Sequence, residues 1–191
     1  MFTITPDYDL FLEKWLKYIY PVARTFAYNL LPNHFHAIVQ IREAPLLKQG
    51  LILPEAPPDL ASPIVRLAKS GTPVWVSRGF ANFFISYARK VQNRHGFHGA
   101  VFHSPFKRKC IGDEVYFDYM TAYVHFNAHK HGLCTGPLSN CLHSSYQTLL
   151  GEMPTFLERE YVLNYFGSRT AFIAYHDTMS GMFGLRGDLE V

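Results

Sequence analysis

Two histidines separated by a single residue are the first feature of the sequence that suggests chemistry. His34 and His36 directly follow Pro32-Asn33, which is a turn signal. In a strand, alternate residues share a face, so the two imidazoles would stand side by side while Phe35 points to the other face. Neutral imidazole is a common ligand of divalent metals. The pair therefore indicates a metal site, with a purely structural histidine pair as the alternative.

A tyrosine and an asparagine four residues apart form the second feature. Tyr123 and Asn127 lie in a stretch that Asp113 can cap and that Gly132 can end. Side chains four residues apart in a helix lie on the same face. A tyrosine hydroxyl can act as a nucleophile, and an asparagine carbonyl oxygen can bind a hard metal ion. The alternative is a core aromatic residue beside a polar neighbour, because two further tyrosines precede Tyr123 in this stretch.

Basic residues are concentrated in one part of the chain. Residues 60–112 contain nine Lys or Arg and no Asp or Glu, whereas the rest of the chain has 18 − 9 = 9 bases against 15 acids. Such a distribution favours a positive face that binds a polyanion, and a solvated surface is the alternative. The candidate DNA-binding residues are Arg89, Lys90, Arg94, Lys107, Arg108 and Lys109.

Composition narrows the class of protein. The 191 residues are 48% hydrophobic and 17% charged, which is typical of one ordinary globular domain with a real core. There is no run of eighteen apolar residues, and the N-terminal stretch carries acids where a secretory signal would carry bases. We therefore expect a cytoplasmic protein in which Cys110, Cys134 and Cys141 are reduced thiols.

Alternating helix and strand signals predict the elements that must position these residues. We expect an α+β fold with an antiparallel sheet, formed by one domain over residues 1–150 and a helical tail over 151–191. The Pro-rich residues 43–78 are predicted to be an insertion with one short helix near 63–70. The predicted helices are 7–20, with Asp7 or Asp9 as cap, 79–94, 114–131 and 154–176; the predicted strands are 22–31, 34–42, 100–103 and 105–111.

The motifs, taken together and in order, resemble those of the HUH-type single-tyrosine transposases, and within them the REP-associated branch. The resemblance extends from about Asp7 to Tyr146. The segments that carry it are Leu30–His36, Phe106–Arg108, Tyr123–Asn127, His131-Gly132 and Ser144–Tyr146.

This resemblance implies a ferredoxin-like domain that cuts and rejoins single-stranded hairpin DNA. It implies that His34, His36 and Asn127 bind Mg²⁺ or Mn²⁺, and that Tyr123 attacks the scissile phosphate to give a 5′-phosphotyrosine. The phosphotyrosine conserves the energy of the bond, so no ATP is required. The implied location is the bacterial nucleoid, and the oligomeric state stays open between a monomer and a homodimer.

The chain departs from the family pattern at two places. The family commonly has a strand before the first helix, whereas only Met1–Pro6 precede that helix here. A late start codon, another segment that fills the gap, or a decayed copy would each explain this difference. The second departure is Ala128-His129, where Pro-Val is common after the asparagine. The missing first strand favours the alternative function, a DNA-binding protein without catalysis. A third interpretation, an RNA-binding module, explains the basic stretch but not the two histidines, the tyrosine and the asparagine.

Overall fold

The computed structural model describes residues 1–43, 74–102 and 106–184. These residues form a mixed α+β fold with six α-helices, one 3-10 turn at Leu138–Asn140 and a two-stranded antiparallel sheet. The α+β prediction is confirmed at this level. The elements are α1 (Thr5–Tyr18), β1 (Ala23–Leu31), β2 (His34–Ile41), α2 (Val74–His95), α3 (Glu114–Lys130), α4 (Ser145–Leu150), α5 (Arg159–Tyr165) and α6 (Arg169–Gly184).

The chain divides into two compact units. The first comprises the described parts of residues 1–24 and 40–107, and the second comprises residues 25–39 with those described after 107. The β1–β2 hairpin runs through both units, since its open end belongs to the first and its centre and turn belong to the second. The predicted division at residue 150 stays a prediction.

Aromatic packing forms the core of the first unit. Helices α1 and α2 contact each other through four buried rings at helical spacing, and the Phe11 and Phe83 centroids are 4.9 Å apart in an edge-to-face arrangement. Trp15 and Phe83 meet in the same way at 5.3 Å. Burial of Tyr87 completes this cluster.

The start of α1 differs from the prediction. Helix α1 begins at Thr5, so Asp7 lies in its first turn and is not its cap. The buried Asp7 carboxylate accepts the backbone N–H groups of Thr3 at 2.9 Å and Ile4 at 3.2 Å, and it also accepts a bond from Arg94 Nη1 at 2.7 Å. Burial acts to raise the pKa of Asp7, but these hydrogen bonds, with another from His95, lower it below its usual value.

Strand β1 is the centre of the second unit. All of its residues except Arg24 are buried, because side chains from the helices cover it. The Phe26 ring contacts Phe117 of α3 at 5.7 Å and Tyr161 of α5 at 5.1 Å, measured between centroids. Helix α6 packs on α3, where the Phe126 and Phe183 rings stack with centroids 5.4 Å apart.

Several predicted elements need correction. The described residues of 100–103 and 105–111 form no strand, and residues 106–110 are exposed. The predicted tail helix is two helices, α5 and α6, separated at Gly167, whose φ of +90° an L side chain rarely adopts. Helix α4 follows the polar loop at a place where the sequence pattern predicts no helix. Most of the predicted insertion and its short helix lie outside the described residues.

Candidate active site

The hairpin brings the two candidate histidines onto one face of β2. His34 is the first residue of β2, and the His34 and His36 rings meet edge-to-face with centroids 5.1 Å apart. Both side chains are half-buried. The strand period therefore places these imidazoles side by side, as the spacing predicts.

Helix α3 carries the other two candidate residues. The Asp113 side chain accepts the N–H of Tyr116 at 2.7 Å, which confirms Asp113 as the N-cap. One helical turn separates Tyr123 from Asn127, and both are buried, with 9% and 1% of their surface exposed. The helix therefore presents the tyrosine and the amide from successive turns of one face.

A buried asparagine joins β1 to the middle of α3. The Asn29 Nδ2 group donates hydrogen bonds to the backbone carbonyls of Val124 at 2.9 Å and His125 at 3.2 Å. These carbonyls belong to the turn between Tyr123 and Asn127. Because β1 continues through the hairpin turn into β2, Asn29 sets the position of the helix relative to the two histidines.

An acceptor atom of His34 faces an acceptor atom of Asn127. The His34 Nδ1 atom lies 2.7 Å from Asn33 Oδ1, and its Nε2 atom lies 3.4 Å from Asn127 Oδ1. A neutral imidazole has one N–H, which the shorter contact uses, so a nitrogen lone pair then faces a carbonyl oxygen. A cation between these two atoms would satisfy both. The buried Asn127 Nδ2 also has no hydrogen-bond partner within the part of the chain that the structure describes.

The tyrosine lies beside this pair. The rings of His36 and Tyr123 meet edge-to-face with centroids 5.6 Å apart. The Lys130 Nζ atom lies 5.6 Å from the centre of the Tyr123 ring. The structure thus brings His34, His36, Tyr123 and Asn127 together within the second unit.

The electrostatic surroundings keep both histidines neutral. Burial lowers the pKa of His36 to about 4, and the neighbouring His34, His131 and Lys130 act in the same direction. Burial also lowers the pKa of His34, although the contact with Asn127 opposes this shift. Only the neutral imidazole can bind a metal, so both residues are in the ligating form near neutral pH.

Sequence reasoning assigned no place at the site to three of its neighbours, although His131 is part of the resemblance. The His131 ring lies 5.0 Å from the His34 ring, and Lys130 lies over Tyr123. Their spacing could have revealed both, since His131 is four residues after Asn127 and Lys130 is seven after Tyr123. No sequence signal could have placed Phe183 of α6 beside Tyr123, although the centroids of the two rings are 6.1 Å apart.

The candidate DNA-binding residues are divided between the two units. Lys107, Arg108 and Lys109 are exposed in the irregular segment before α3, and the Lys109 Nζ atom lies 4.9 Å from the centre of the Tyr116 ring. Arg89 and Lys90 are exposed on α2. In contrast, Arg94 is paired with the buried Asp7, so part of its guanidinium has a structural role. DNA contact by all six residues stays a prediction.

The cysteines differ from the expectation. Cys134 and Cys141 form a disulfide across the loop after α3, with Cα atoms 5.6 Å apart, whereas we expected reduced thiols throughout. Only Cys110 is free among the described cysteines, and it is exposed. The expectation failed because it rested on the assumed compartment and not on the distance between the two residues.

Comparison of the chain with family models, curated proteins and solved structures finds no match. Among the described helices, none combines the length and apolar character that a membrane span requires.

Proposed function

We propose that this protein is a metal-dependent DNA strand transferase of the HUH single-tyrosine type, with a ferredoxin-like HUH domain. The observation that carries the proposal is the contact of Tyr123 with His36 beside the facing acceptors of His34 and Asn127. A nucleophile in contact with a set of metal ligands is the arrangement that such chemistry needs. The resemblance to REP-associated transposases supports the same function.

The donor set fits a divalent cation that accepts both nitrogen and oxygen ligands. Two neutral imidazoles and one amide oxygen supply three ligands, of which the amide oxygen suits Mg²⁺ and Mn²⁺ and the imidazoles suit borderline transition metals. Mg²⁺ or Mn²⁺ bound there would polarise a phosphate oxygen and offset its charge. The contact of His34 Nδ1 with Asn33 Oδ1 orients the ring and leaves Nε2 free to ligate. The Asn127 amide is held by its position in α3, which Asn29 fixes against β1.

Tyr123 supplies the covalent step. Its hydroxyl oxygen forms a bond to phosphorus, the bond from phosphorus to the 3′ oxygen breaks, and the phenolic proton passes through solvent to the departing 3′ oxygen. The products are a 5′-phosphotyrosine and a free 3′-hydroxyl end. Attack by a 3′-hydroxyl on the phosphotyrosine reverses the step and joins a new strand. The Lys130 ammonium group near the ring favours negative charge at this place.

A DNA-binding protein without catalysis is the second candidate. One observation favours it: Tyr123 is 9% exposed, and the rings of Phe183 and Tyr119 cover it. A nucleophile must be accessible to the scissile phosphate. In this candidate the same fold binds DNA, and Tyr123 is a core residue.

The test is incubation of labelled single-stranded hairpin DNA with the protein and Mn²⁺, followed by a denaturing gel. We expect a covalent adduct with the wild type and none with Tyr123→Phe, which keeps the ring and its packing. Tyr119→Phe, one turn earlier on the same helix, is the matched control and should retain the adduct. DNA binding without an adduct in the wild type would establish the second candidate instead.

A further inference from the structure

A second cluster of metal-ligating side chains lies at the end of α3. His129 is in the last turn of the helix, and Cys134 and Cys141 lie in the loop that follows. One ligand atom of each residue lies within 4.8 Å of the ligand atoms of the other two. The Cys141 Sγ atom is 3.4 Å from His129 Nδ1. This cluster shares no residue with the proposed active site.

The hydrogen bonds of His129 fix which nitrogen can bind a metal. The Nε2 atom lies 2.7 Å from the carbonyl oxygen of Gly136, which can only accept, so Nε2 carries the proton. The Nδ1 lone pair therefore points toward Cys141. A disulfide sulfur has no proton to donate, so this contact is not a hydrogen bond. Histidines that bind metals commonly donate their other N–H to a backbone carbonyl in this way.

The loop geometry supports this arrangement. Gly136 has a φ of +80°, which an L side chain rarely adopts, and a Cβ there would lie 3.1 Å from Asn140 Nδ2. The carbonyl that orients His129 thus comes from a position that requires glycine. Leu138 is buried and anchors the loop between the two cysteines.

We propose that His129, Cys134 and Cys141 form a zinc site when the disulfide is reduced. In a tetrahedral zinc site, sulfur and nitrogen ligands are separated by roughly 3.6 Å, which is close to the distance between Cys141 Sγ and His129 Nδ1. Reduction lets the two sulfurs move apart to the roughly 3.8 Å that two thiolates on one zinc ion require. A water molecule takes the fourth position.

The disulfide-bonded and zinc-bound states of the loop exclude each other, because both use the sulfur atoms of Cys134 and Cys141. A dithiol reductant delivers two electrons and two protons to the disulfide, so that Cys134 and Cys141 become thiols and the reductant becomes a disulfide. Zinc binding then releases the two thiol protons, and the two thiolates balance the charge of the ion. The disulfide joins the loop only to itself, whereas zinc adds a second link from the loop to His129 of α3, beside the hydrogen bond to Gly136. The end of the helix that carries Asn127 is therefore held more firmly in the reduced, zinc-bound state.

Alkylation of the wild-type chain tests the proposal without any substitution. The full-length protein is reduced, incubated with or without Zn²⁺, and treated with a thiol-alkylating reagent. Mass spectrometry then maps the modified cysteines. We expect saturating zinc to protect Cys134 and Cys141 at least tenfold and to leave labelling of the exposed Cys110 unchanged. Equal labelling of Cys134 and Cys141 with and without zinc would overturn the site.

Cobalt as a spectroscopic probe identifies the ligands. Reduced protein with Co²⁺ should show a near-ultraviolet thiolate charge-transfer band, which oxidised protein should lack. Cys134→Ser and Cys141→Ser should each weaken the band, and His129→Ala should lower the affinity at least tenfold. Cys110→Ser is the matched control and should leave it unchanged. The band should also survive in the double variant His34→Ala/His36→Ala, which separates this site from the proposed active site. A band of undiminished intensity in both Cys134→Ser and Cys141→Ser would refute the proposal.

Discussion

His125, His176 and Ser145 form a buried row of hydrogen-bonded side chains. The partners at the two ends of this row determine which nitrogen atoms carry protons. His176 Nδ1 lies 2.8 Å from the Phe172 carbonyl, so Nδ1 carries the proton and Nε2 accepts. His125 Nδ1 must then donate to His176 Nε2 at 2.9 Å, and His125 Nε2 accepts from the Ser145 hydroxyl at 2.9 Å. The Tyr28 N–H donates to Ser145 Oγ and completes the row. All its groups are satisfied only if both histidines are neutral.

The neutral row predicts a loss of stability in acid. Burial lowers the pKa of His176 to about 4, whereas an unfolded histidine titrates near pH ~6.5. The unfolded state therefore binds more protons between these values, so the free energy of unfolding is highest above pH ~6.5 and falls by about 3 kcal/mol as the pH drops to about 4. Burial lowers the pKa of His125 in the same direction.

Urea denaturation from pH 7.5 to 4.5 measures this dependence. His176→Leu should be less stable at neutral pH but should lose stability less steeply in acid, by up to about 1.4 kcal/mol per pH unit. The exposed His98 offers the matched control His98→Gln, whose curve should run parallel to the wild type. A parallel curve for His176→Leu would show that the pKa of this histidine does not change on unfolding.

Metal binding by the histidine pair should resist mild acid. From ordinary histidine behaviour alone, binding should fade near pH ~6.5. Because the pKa of His36 is lowered to about 4, protons compete weakly, and we expect Mn²⁺ affinity to persist to about pH 5. His34→Ala or His36→Ala should lower it at least tenfold.

Calorimetry with Mn²⁺ on the oxidised protein, in which the cysteine pair is closed, measures this affinity. His98→Ala serves as the control and should bind as the wild type does. Unchanged binding in both His34→Ala and His36→Ala would rule out a metal site at this pair.

At the scale of the elements, the site depends on how α3 is held against β1. Asn29 of β1 is hydrogen-bonded to α3, because its side-chain amide donates to two carbonyls of the helix. Asn29→Leu keeps the branched shape of the side chain but removes both hydrogen bonds, so we expect a loss of about 1–3 kcal/mol in the free energy of unfolding. We also expect adduct formation to slow at least tenfold, because small displacements of a nucleophile are costly.

Urea denaturation and the adduct assay measure the two effects of Asn29→Leu. The exposed Asn164 gives the matched control Asn164→Ala, which should change neither. Wild-type adduct rates in a destabilised Asn29→Leu would mean that the asparagine contributes to stability but does not position Tyr123.

The sequence predicts most of the elements around the site and few of the contacts between them. The hairpin and α3 follow from β-formers around Pro32-Asn33 and from the Asp113 cap, and both are confirmed. Asn29 could not be singled out, because its role depends on carbonyls about 95 residues later in the chain. The cover of Tyr123 by Phe183 is non-local in the same way. Local patterns reveal elements, whereas these contacts depend on tertiary packing.

At the scale of the whole molecule, the proposed DNA binding rests on the uneven charge distribution. The candidate bases lie in both units: Arg89, Lys90 and Lys107 in the first, and Arg108 and Lys109 in the second. Arg94 makes a poor test residue, because its loss would remove a partner from the buried Asp7 carboxylate. The informative substitutions are therefore those of the exposed bases.

A salt titration of DNA binding tests these bases. Neutralising Lys107 and Lys109 together should remove contacts with DNA phosphates. Such contacts carry little sequence information, so binding to all single strands should weaken alike. The slope of log K against log salt should shrink by about 0.7 for each phosphate that the variant no longer neutralises. Because this segment is irregular and is not a strand, the alternation of side chains does not decide between this pair and Arg108, and the two are tested separately. Adduct formation at saturating DNA should largely survive, since Tyr123 and its neighbours are unchanged.

Fluorescence anisotropy measures the slope for the wild type, the Lys107/Lys109 double variant, an Arg108 variant and an Arg89/Lys90 double variant. The last is the matched comparison, because it removes two exposed bases from a helix of the first unit. An unchanged slope in both the Lys107/Lys109 and Arg108 variants would contradict a phosphate-binding role for this segment. If the slope then falls only in the Arg89/Lys90 variant, the DNA path follows α2. The slope counts the counterions that phosphate binding releases, so it detects phosphate contacts wherever they occur on the protein.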